Sequence, residues 1–468
     1  MSKCMVILAL LVVSLLLVAC APKVAEPVMQ PPTLTVEAGP EPVELLMWSE
    51  CCSQIEPEDC VGWNDTYCDG TIKEPGDLGE RMVIEWHKLH PEYTHINIKC
   101  IMATWGGGRI GQELTAMVRA GEGPNIYTLY GGRSWLAYEI GIDLDKYLPQ
   151  EAKDEYLDYD HWVAEDGTVR VLPGWGIMEY PVANKQLIER ACAQEGFDCK
   201  SPEPWSILPY DEYLEIADAI KALDDGSYIG ILWGSLPSSQ QLNWTYFAQA
   251  GMPAFKDGKF TGFAGGEDVL VELVRLYDEG YLYPDVAGIT DDDAFPIWGR
   301  GKIGIMMARM GHTGVINTAV AAGECESWDP VPFLGIQFRE GVVPLVTGGY
   351  FSQAGFVADN TPEEYRTAAT SYMAYVLSGP SIGAGGWLDQ IPLQRSQVER
   401  GTVAAGTRDE ILAHINKYGL ADDGIQAEAY NQVREAFGQM LTSVFLHQLT
   451  PQEGLAQFQA TVSGLQGE

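Results

Sequence analysis

Between residues 42 and 132, apolar segments of two different periods take turns, and this alternation constrains the fold more than any other feature of the chain. "PVELLMWSE" (42–50) is a short apolar run. "DLGERMVIEWHKLHPEY" (77–93) carries apolar residues at helical spacing until Pro91. "INIKCIMAT" (96–104) alternates, "GQELTAMVRAGEGP" (111–124) returns to the helical period and ends in Gly and Pro, and "NIYTLYGG" (125–132) is again strand-like. Strand, helix, strand, helix, strand predicts a parallel α/β sheet. Such sheets bind ligands outside the carboxyl ends of their strands. Here those ends are Trp48, Ser49 and Glu50, then Thr104 to Gly108, then Tyr130 to Trp135.

A second unit begins near residue 170. "GIMEYPVANKQLIERACAQEGF" passes from strand into helix, and "PYDEYLEIADAIKAL" (209–223) is amphipathic. "SYIGILWGS" (227–235) reads as a strand, "GEDVLVELVRLYDEGYLYPD" (266–285) as a helix, and "DDAFPIWGRGKIGIMMARMG" (292–311) as a helix, a Gly turn and a buried strand. The tail is mostly helical, over 361–378, 408–420, 426–447 and 451–465.

The N-terminus has a different character. Lys3 precedes an apolar run from Met5 to Val18, which stops at Leu17-Val18-Ala19-Cys20. A short apolar run behind a positive start, closed by small residues and a cysteine, matches a bacterial lipoprotein signal (residues 1–20), with Cys20 as the lipid-bearing residue. Residues 21–42 hold six prolines and no apolar period, as an extended tether would. The chain is therefore expected outside the cytoplasm, anchored to the cell membrane by lipid.

Charge narrows the partners. Lys and Arg number 29 against 65 Asp and Glu, a net charge of −36. Nucleic acid, which requires clustered cations, is excluded as a partner. Of the ten cysteines, Cys4 lies in the signal and Cys20 takes lipid. The other eight, Cys51, Cys52, Cys60, Cys68, Cys100, Cys192, Cys199 and Cys325, are disulfide candidates in an exported chain. Cys192 and Cys199 bracket a short loop and are the expected local pair. Zinc is the rival for "CCSQIEPEDCVGWNDTYC", but the spacing is not a paired C-x₂-C pattern.

"ELLMWSE", "AMVRAGEGPNIYTLYGG", "YPVANKQLIERACAQEGFD" before "PWSILPYDEYLEIADAIKAL", "PIWGRGKIGIMMARMG", "VTGGYFSQAGFVADN" and "PEEYRTAATSYMAYVLSGP" follow one another across residues 43–465. In this order they resemble the extracellular solute-binding proteins of ABC importers, specifically the carbohydrate family that includes maltodextrin-binding proteins. Two departures stand out: the Cys-rich insertion at 51–70, and "PNIY" where the family more often has an acidic residue after Pro. The resemblance implies two interleaved α/β lobes, with sugar bound between them at a multi-strand hinge. The chain would cross near 168–172, 340–346 and 393–397, giving a first lobe of 43–169 plus 345–395 and a second of 170–344 plus 396–468. It also implies a monomeric, cofactor-free and metal-free receptor that is not an enzyme and whose partner is a membrane permease.

Sugars lay apolar C–H faces on aromatic rings and pair their hydroxyls with amides, carboxylates and Arg. The chain has 13 Trp and 22 Tyr. Trp48, Trp105, Trp135, Trp175, Trp233, Trp244, Trp298, Tyr350 and Trp387 fall at strand ends or in loops beside Gly. Glu50, Arg109, Glu179, Asn243, Arg309 and Asp389 lie near them as polar partners. Trp86 and Trp162 read instead as structural. "WGGGRIG" (105–111) has the G-x-G-x-x-G spacing of a dinucleotide fingerprint, yet the strand at 125–130 ends without the acidic residue that would hold a ribose. A Gly turn around Gly107 that offers free N–H groups to a ligand fits better. His87, His90 and His95 lack the H-E-x-x-H pattern of a metal site, and Ser134 lacks the second Gly of a nucleophile elbow. The alternatives left open are a secreted glycoside hydrolase, which needs two carboxylates at a set separation, and a receptor for a non-sugar solute such as a polyamine or peptide.

Overall fold

Val43–Ser49 (β1), Ile96–Met102 (β2) and Ile126–Tyr130 (β3) form the expected parallel strands, in the order β2-β1-β3. In β2 the alternation decides the faces: Ile96 and Ile98 are buried while Asn97 and Lys99 are exposed. The helix Asp77–Leu89 covers that sheet with Met82, Val83 and Trp86. The computed structural model describes all residues except 1–40, 50–76, 103–113, 115, 131–133, 157–158, 165, 233–239, 287, 309–318, 326–327, 379–389, 396–406, 425–426, 428 and 468. Signal, lipid site and nearly all of the tether thus lie outside the described residues, as does the Cys-rich insertion. Pro42–Glu468 is one compact unit.

Six further strands complete a nine-stranded sheet: Leu172–Asn184 (β4), Ile305–Ala308 (β5), Pro330–Pro332 (β6), Val346–Val357 (β7), Gln390–Pro392 (β8) and Leu420–Asp422 (β9). The main path runs β8-β4-β7-β3-β1-β2, with β5 and β6 on β4 and β9 on β7. Two strands are long because they serve two neighbourhoods each. The start of β4 pairs antiparallel with β8 and β7, while Tyr180–Asn184 pairs with β5 and β6. The start of β7, Val346 to Gly348, lies parallel to β9, while Gln353 to Val357 lies antiparallel to β3. Between Gly349 and Gln353 the register of β7 against β4 shifts, as it does at a β-bulge, which bends the strand.

Three cores follow from this layout. One holds Met47, Trp86, Tyr372 and Met178; Trp162 is buried there as well, so both tryptophans read as structural are packed. The opposite face of β1, β3 and β7 buries Trp48, Tyr127, Phe356 and Leu136, with Tyr127 stacked on Phe356 at 4.4 Å. The third lies among the helices Lys185–Cys192, Tyr210–Ala222, Glu267–Asp278, Tyr430–Phe445 and Pro451–Leu465, centred on Phe247, Phe263 and Phe437. The last of these helices starts cleanly because Thr450 Oγ1 accepts from Glu453 N, the Glu453 carboxylate accepts from Thr450 N, and Pro451 opens the first turn.

The expected strand over 227–235 is not formed among the described residues. Tyr228 and Gly230 make only isolated parallel bridges, to Ile303 and Leu282. The segment divides its backbone bonds between two partners, Ile229 N donating to Tyr281 O on one side and Ile305 N to Ile229 O on the other, so no run of consecutive pairs builds with either.

Cys192 and Cys199 are bonded, with Cα atoms 5.3 Å apart, as the loop spacing predicted. Cys100 on β2 is also disulfide-bonded. Cys325 corrects its expectation, since it is in no disulfide; the cavity wall around it carries no second cysteine.

Candidate ligand-binding site

The order β2-β1-β3 makes a switch point, because the chain leaves β1 toward one neighbour and reaches the other only later. Ser49 and Thr128 mark it. Both are fully buried, and Thr128 Oγ1 donates to Ser49 Oγ at 2.6 Å. Gln353 of β7 pairs with both Tyr130 at the end of β3 and Trp175 of β4. The carboxyl end of β3 therefore opens on the irregular stretch of β7 and the middle of β4. Ligand sites gather at such a place, where strand ends leave backbone groups outside the ladder.

One strand turn further along, β4 and β7 carry buried polar groups. Glu179 and Thr347 are cross-strand partners, and both are buried. Asp423, just beyond β9, donates its backbone N–H to Gly348 O at 3.0 Å and is also buried. Tyr430 packs against this group from the helix Tyr430–Phe445, with the Arg434 guanidinium 5.7 Å from its ring centre. Burial holds the Tyr430 hydroxyl well above the usual phenol range, and the Asp423 and Glu179 carboxylates push the same way. Two carboxylates, a phenol and a guanidinium thus come together beside the strands common to both parts of the sheet. Such a group can orient hydroxyls or a cation, and it carries no metal cluster: among the described residues no set of three or more His, Cys, Asp and Glu is placed to hold one.

The sixteen expected ligand residues divide by place. Glu50, Trp105, Gly107, Arg109, Trp233, Arg309, Trp387 and Asp389 lie outside the described residues. So does the rest of the "WGGGRIG" turn. Trp135, Trp175 and Tyr350 are placed by their backbones alone: Trp135 in the helix Ser134–Ile140, Trp175 in the middle of β4, Tyr350 in the irregular stretch of β7. Glu179 belongs to the buried polar group just described. Asn243 is buried at the end of the turn Gln240–Asn243, which leads into the helix Trp244–Gln249.

Three tryptophans are corrected by packing. Trp244 is 1 % exposed and meets Phe260, Phe263, Tyr430 and Phe437 edge-on, at centroid distances of 5.9 to 6.4 Å. Trp298 is 0 % exposed and stands edge-on to Trp328 at 5.2 Å. Trp48 is 4 % exposed within the core of the opposite sheet face. Their rings fill cores and present no face on which a sugar could lie. Thr347, Asp423 and Tyr430 were not singled out in the sequence. Only the β7 register and the packing of a distant helix bring them to Glu179, and no local pattern announces that. The histidines are occupied separately: His87 Nε2–H donates to Ile96 O at 2.9 Å, and His90 lies 3.4 Å from Glu92.

No family model and no curated protein matches the chain. Solved structures do match it over nearly its whole length. A sugar transporter from Arthrobacter chlorophenolicus A6 with bound laminaribiose superposes with a TM-score of 0.64 at 13 % identity, covering 91 % of this chain and 99 % of its own. The sugar-binding protein MalE from the phytopathogen Xanthomonas citri gives 0.62 at 12 % identity, covering 91 % and 97 %. A chitin oligosaccharide binding protein gives 0.61 at 17 % identity, covering 91 % and 100 %. Two long strands shared between two parts of one sheet, with helices on both sides, are therefore the two-lobe α/β fold of periplasmic binding proteins.

Proposed function

We propose that this chain is a lipid-anchored extracellular receptor that captures a carbohydrate and delivers it to the permease of an ABC importer, without chemically changing it. The observation that carries the reading is the pair of strands β4 and β7, which run through both parts of the sheet and place the buried Glu179–Thr347 pair beside the strand-end opening. Lobes joined by such strands close around a ligand by bending at the shared segment. The similar structures support the ligand class, since one holds laminaribiose and another is named for chitin oligosaccharides. The lobes would be 43–169 plus 345–395 and 170–344 plus 396–468, with the chain passing between them just ahead of β4 and β7. Trp175 and Tyr350, both on the crossing strands, are the aromatic platforms, and Glu179 with Asn243 supplies polar contacts. Trp135, in the helix Ser134–Ile140, is the further aromatic candidate from the first lobe.

Thermal unfolding of the purified protein against a panel of intact oligosaccharides tests this. Stabilisation by one of them, with the sugar recovered unaltered, is the expected result. Conversion of that sugar to smaller products makes the chain a hydrolase instead. The buried carboxylates Glu179 and Asp423 favour one second reading, a cationic solute such as a polyamine. Mass spectrometry of copurifying small molecules separates the two: a polyamine overturns the sugar assignment.

A further inference from the structure

A cavity of about 280 Å³ opens at the far end of β4, five residues, roughly 17 Å of strand, beyond Glu179. Its floor is Gly301, in the left-handed region at φ 74°, where a side chain would fill the space: a Cβ there would lie 3.4 Å from Cys325 Sγ and 3.5 Å from Asn184 Nδ2. Three cations line it, Arg190, Arg300 and Lys302, in a chain whose net charge is −36. Asp225 braces two of them: Arg190 is bonded to its carboxylate at 2.9 Å, and the Lys302 ammonium donates to its backbone oxygen at 2.9 Å. Arg300 is held less firmly, 3.9 Å from Glu324 on the same wall.

Asn184 makes this more than a patch of surface charge. It is 2 % exposed and lines the cavity. Its Oδ1 accepts from Leu187 N at 3.1 Å, which caps the helix Lys185–Cys192 and turns the Nδ2 group into a donor with a fixed position. That Nδ2 donates to no protein atom among the described residues. An amide N–H that faces a cavity takes its acceptor from whatever fills it, water or a ligand.

We infer that this cavity is a second site, separate from the sugar cleft, that binds inorganic phosphate. Guanidinium forks, an ammonium and a fixed amide are the donors that an oxyanion requires. Glu324 chooses among oxyanions. Monohydrogen phosphate keeps one O–H that can donate to the Glu324 carboxylate. Sulfate and the dianion of a phosphate monoester keep none, so each meets that carboxylate as a bare negative charge. The site does not depend on the sugar reading, and its test uses a different ligand.

Calorimetric titration of the full chain at low ionic strength, with inorganic phosphate, inorganic sulfate and glucose 6-phosphate, decides it. Phosphate is expected to bind saturably at one site, with sulfate and the ester at least tenfold weaker. Arg300→Ala should weaken phosphate at least tenfold, and Glu324→Gln should narrow the gap between phosphate and sulfate. Lys302→Met serves as a second probe should Arg300→Ala unfold at a lower temperature than the parent. Absence of a saturable phosphate signal, equal affinity for phosphate and sulfate, or unchanged affinity in both cation variants would overturn the assignment.

Discussion

Trp175 and Trp244 are the same residue type with opposite expected roles, and the difference can be measured. Trp175 sits on β4 where β7 and β8 both pair with it, next to the strand-end opening, with Gly174 and Gly176 on either side. If its ring carries a sugar, Trp175→Ala weakens binding by about 1.5–3 kcal/mol, the scale of one buried side chain. Its unfolding temperature should move little. Titration with the stabilising oligosaccharide reads the first effect and thermal unfolding the second; unchanged affinity removes Trp175 from the site. Trp244, enclosed by four aromatic rings, behaves the other way. Trp244→Ala should cost about 3–5 kcal/mol of stability through lost transfer energy and a cavity. Denaturant unfolding monitored by circular dichroism checks this, and a loss under 1 kcal/mol would contradict the packing described above.

Two helices carry predictions at the next scale. His414, on the helix Thr407–Tyr418, is buried and donates from Nε2 to Pro344 O at 2.8 Å, just before β7 begins. Burial lowers its pKa below the ordinary 6.5, against the pull of that carbonyl, and Lys417 adds to the lowering. The folded state therefore binds fewer protons here than the unfolded chain. Its contribution is fully present above about pH 6.5 and fades as pH falls below that value. His414→Gln, which retains a donor, should flatten the acid side of a stability-versus-pH curve; an identical slope in the variant would exclude His414 as its source. At the Thr450 cap, Thr450→Ala should cost about 1 kcal/mol, read as a lower denaturation midpoint with unchanged slope. The parallel strands and most helices were legible in the sequence because each declares its own period, and caps such as Thr450 with Glu453 mark their starts. The strand at 227–235 was misread because an apolar run of that length suits a strand as well as a buried bridge. The site was legible only in part. Glu179 and Asn243 stood out beside aromatics, but Thr347, Asp423 and Tyr430 meet Glu179 through pairings that no stretch of sequence contains. Tryptophan is equally at home in a core and at a binding surface, so Trp48, Trp244 and Trp298 could be sorted only by their neighbours.

For the molecule as a whole, the proposed anchoring rests on Cys20. Cys20→Ala should leave the protein in the soluble extracytoplasmic fraction or uncleaved at its signal, and retention of the mature protein on the membrane would remove the lipid reading. The shared strands reach further, into how the chain is made. An exported protein emerges on the far side of the membrane from its N-terminus onward. Here Ile126 of β3 must wait for Val357, and Trp175 of β4 for Gln353 and Pro392, before their antiparallel neighbours are in place. On the proposed export route neither part can be completed while the other is still being translocated, and a gene cut between them would yield two pieces with unpaired strand edges. Pairings this remote in sequence slow folding and prolong exposure of apolar strands. A chain with this topology therefore depends on help, or on time, in the compartment where it emerges, and its yield there should respond to folding factors more than to the rate of synthesis.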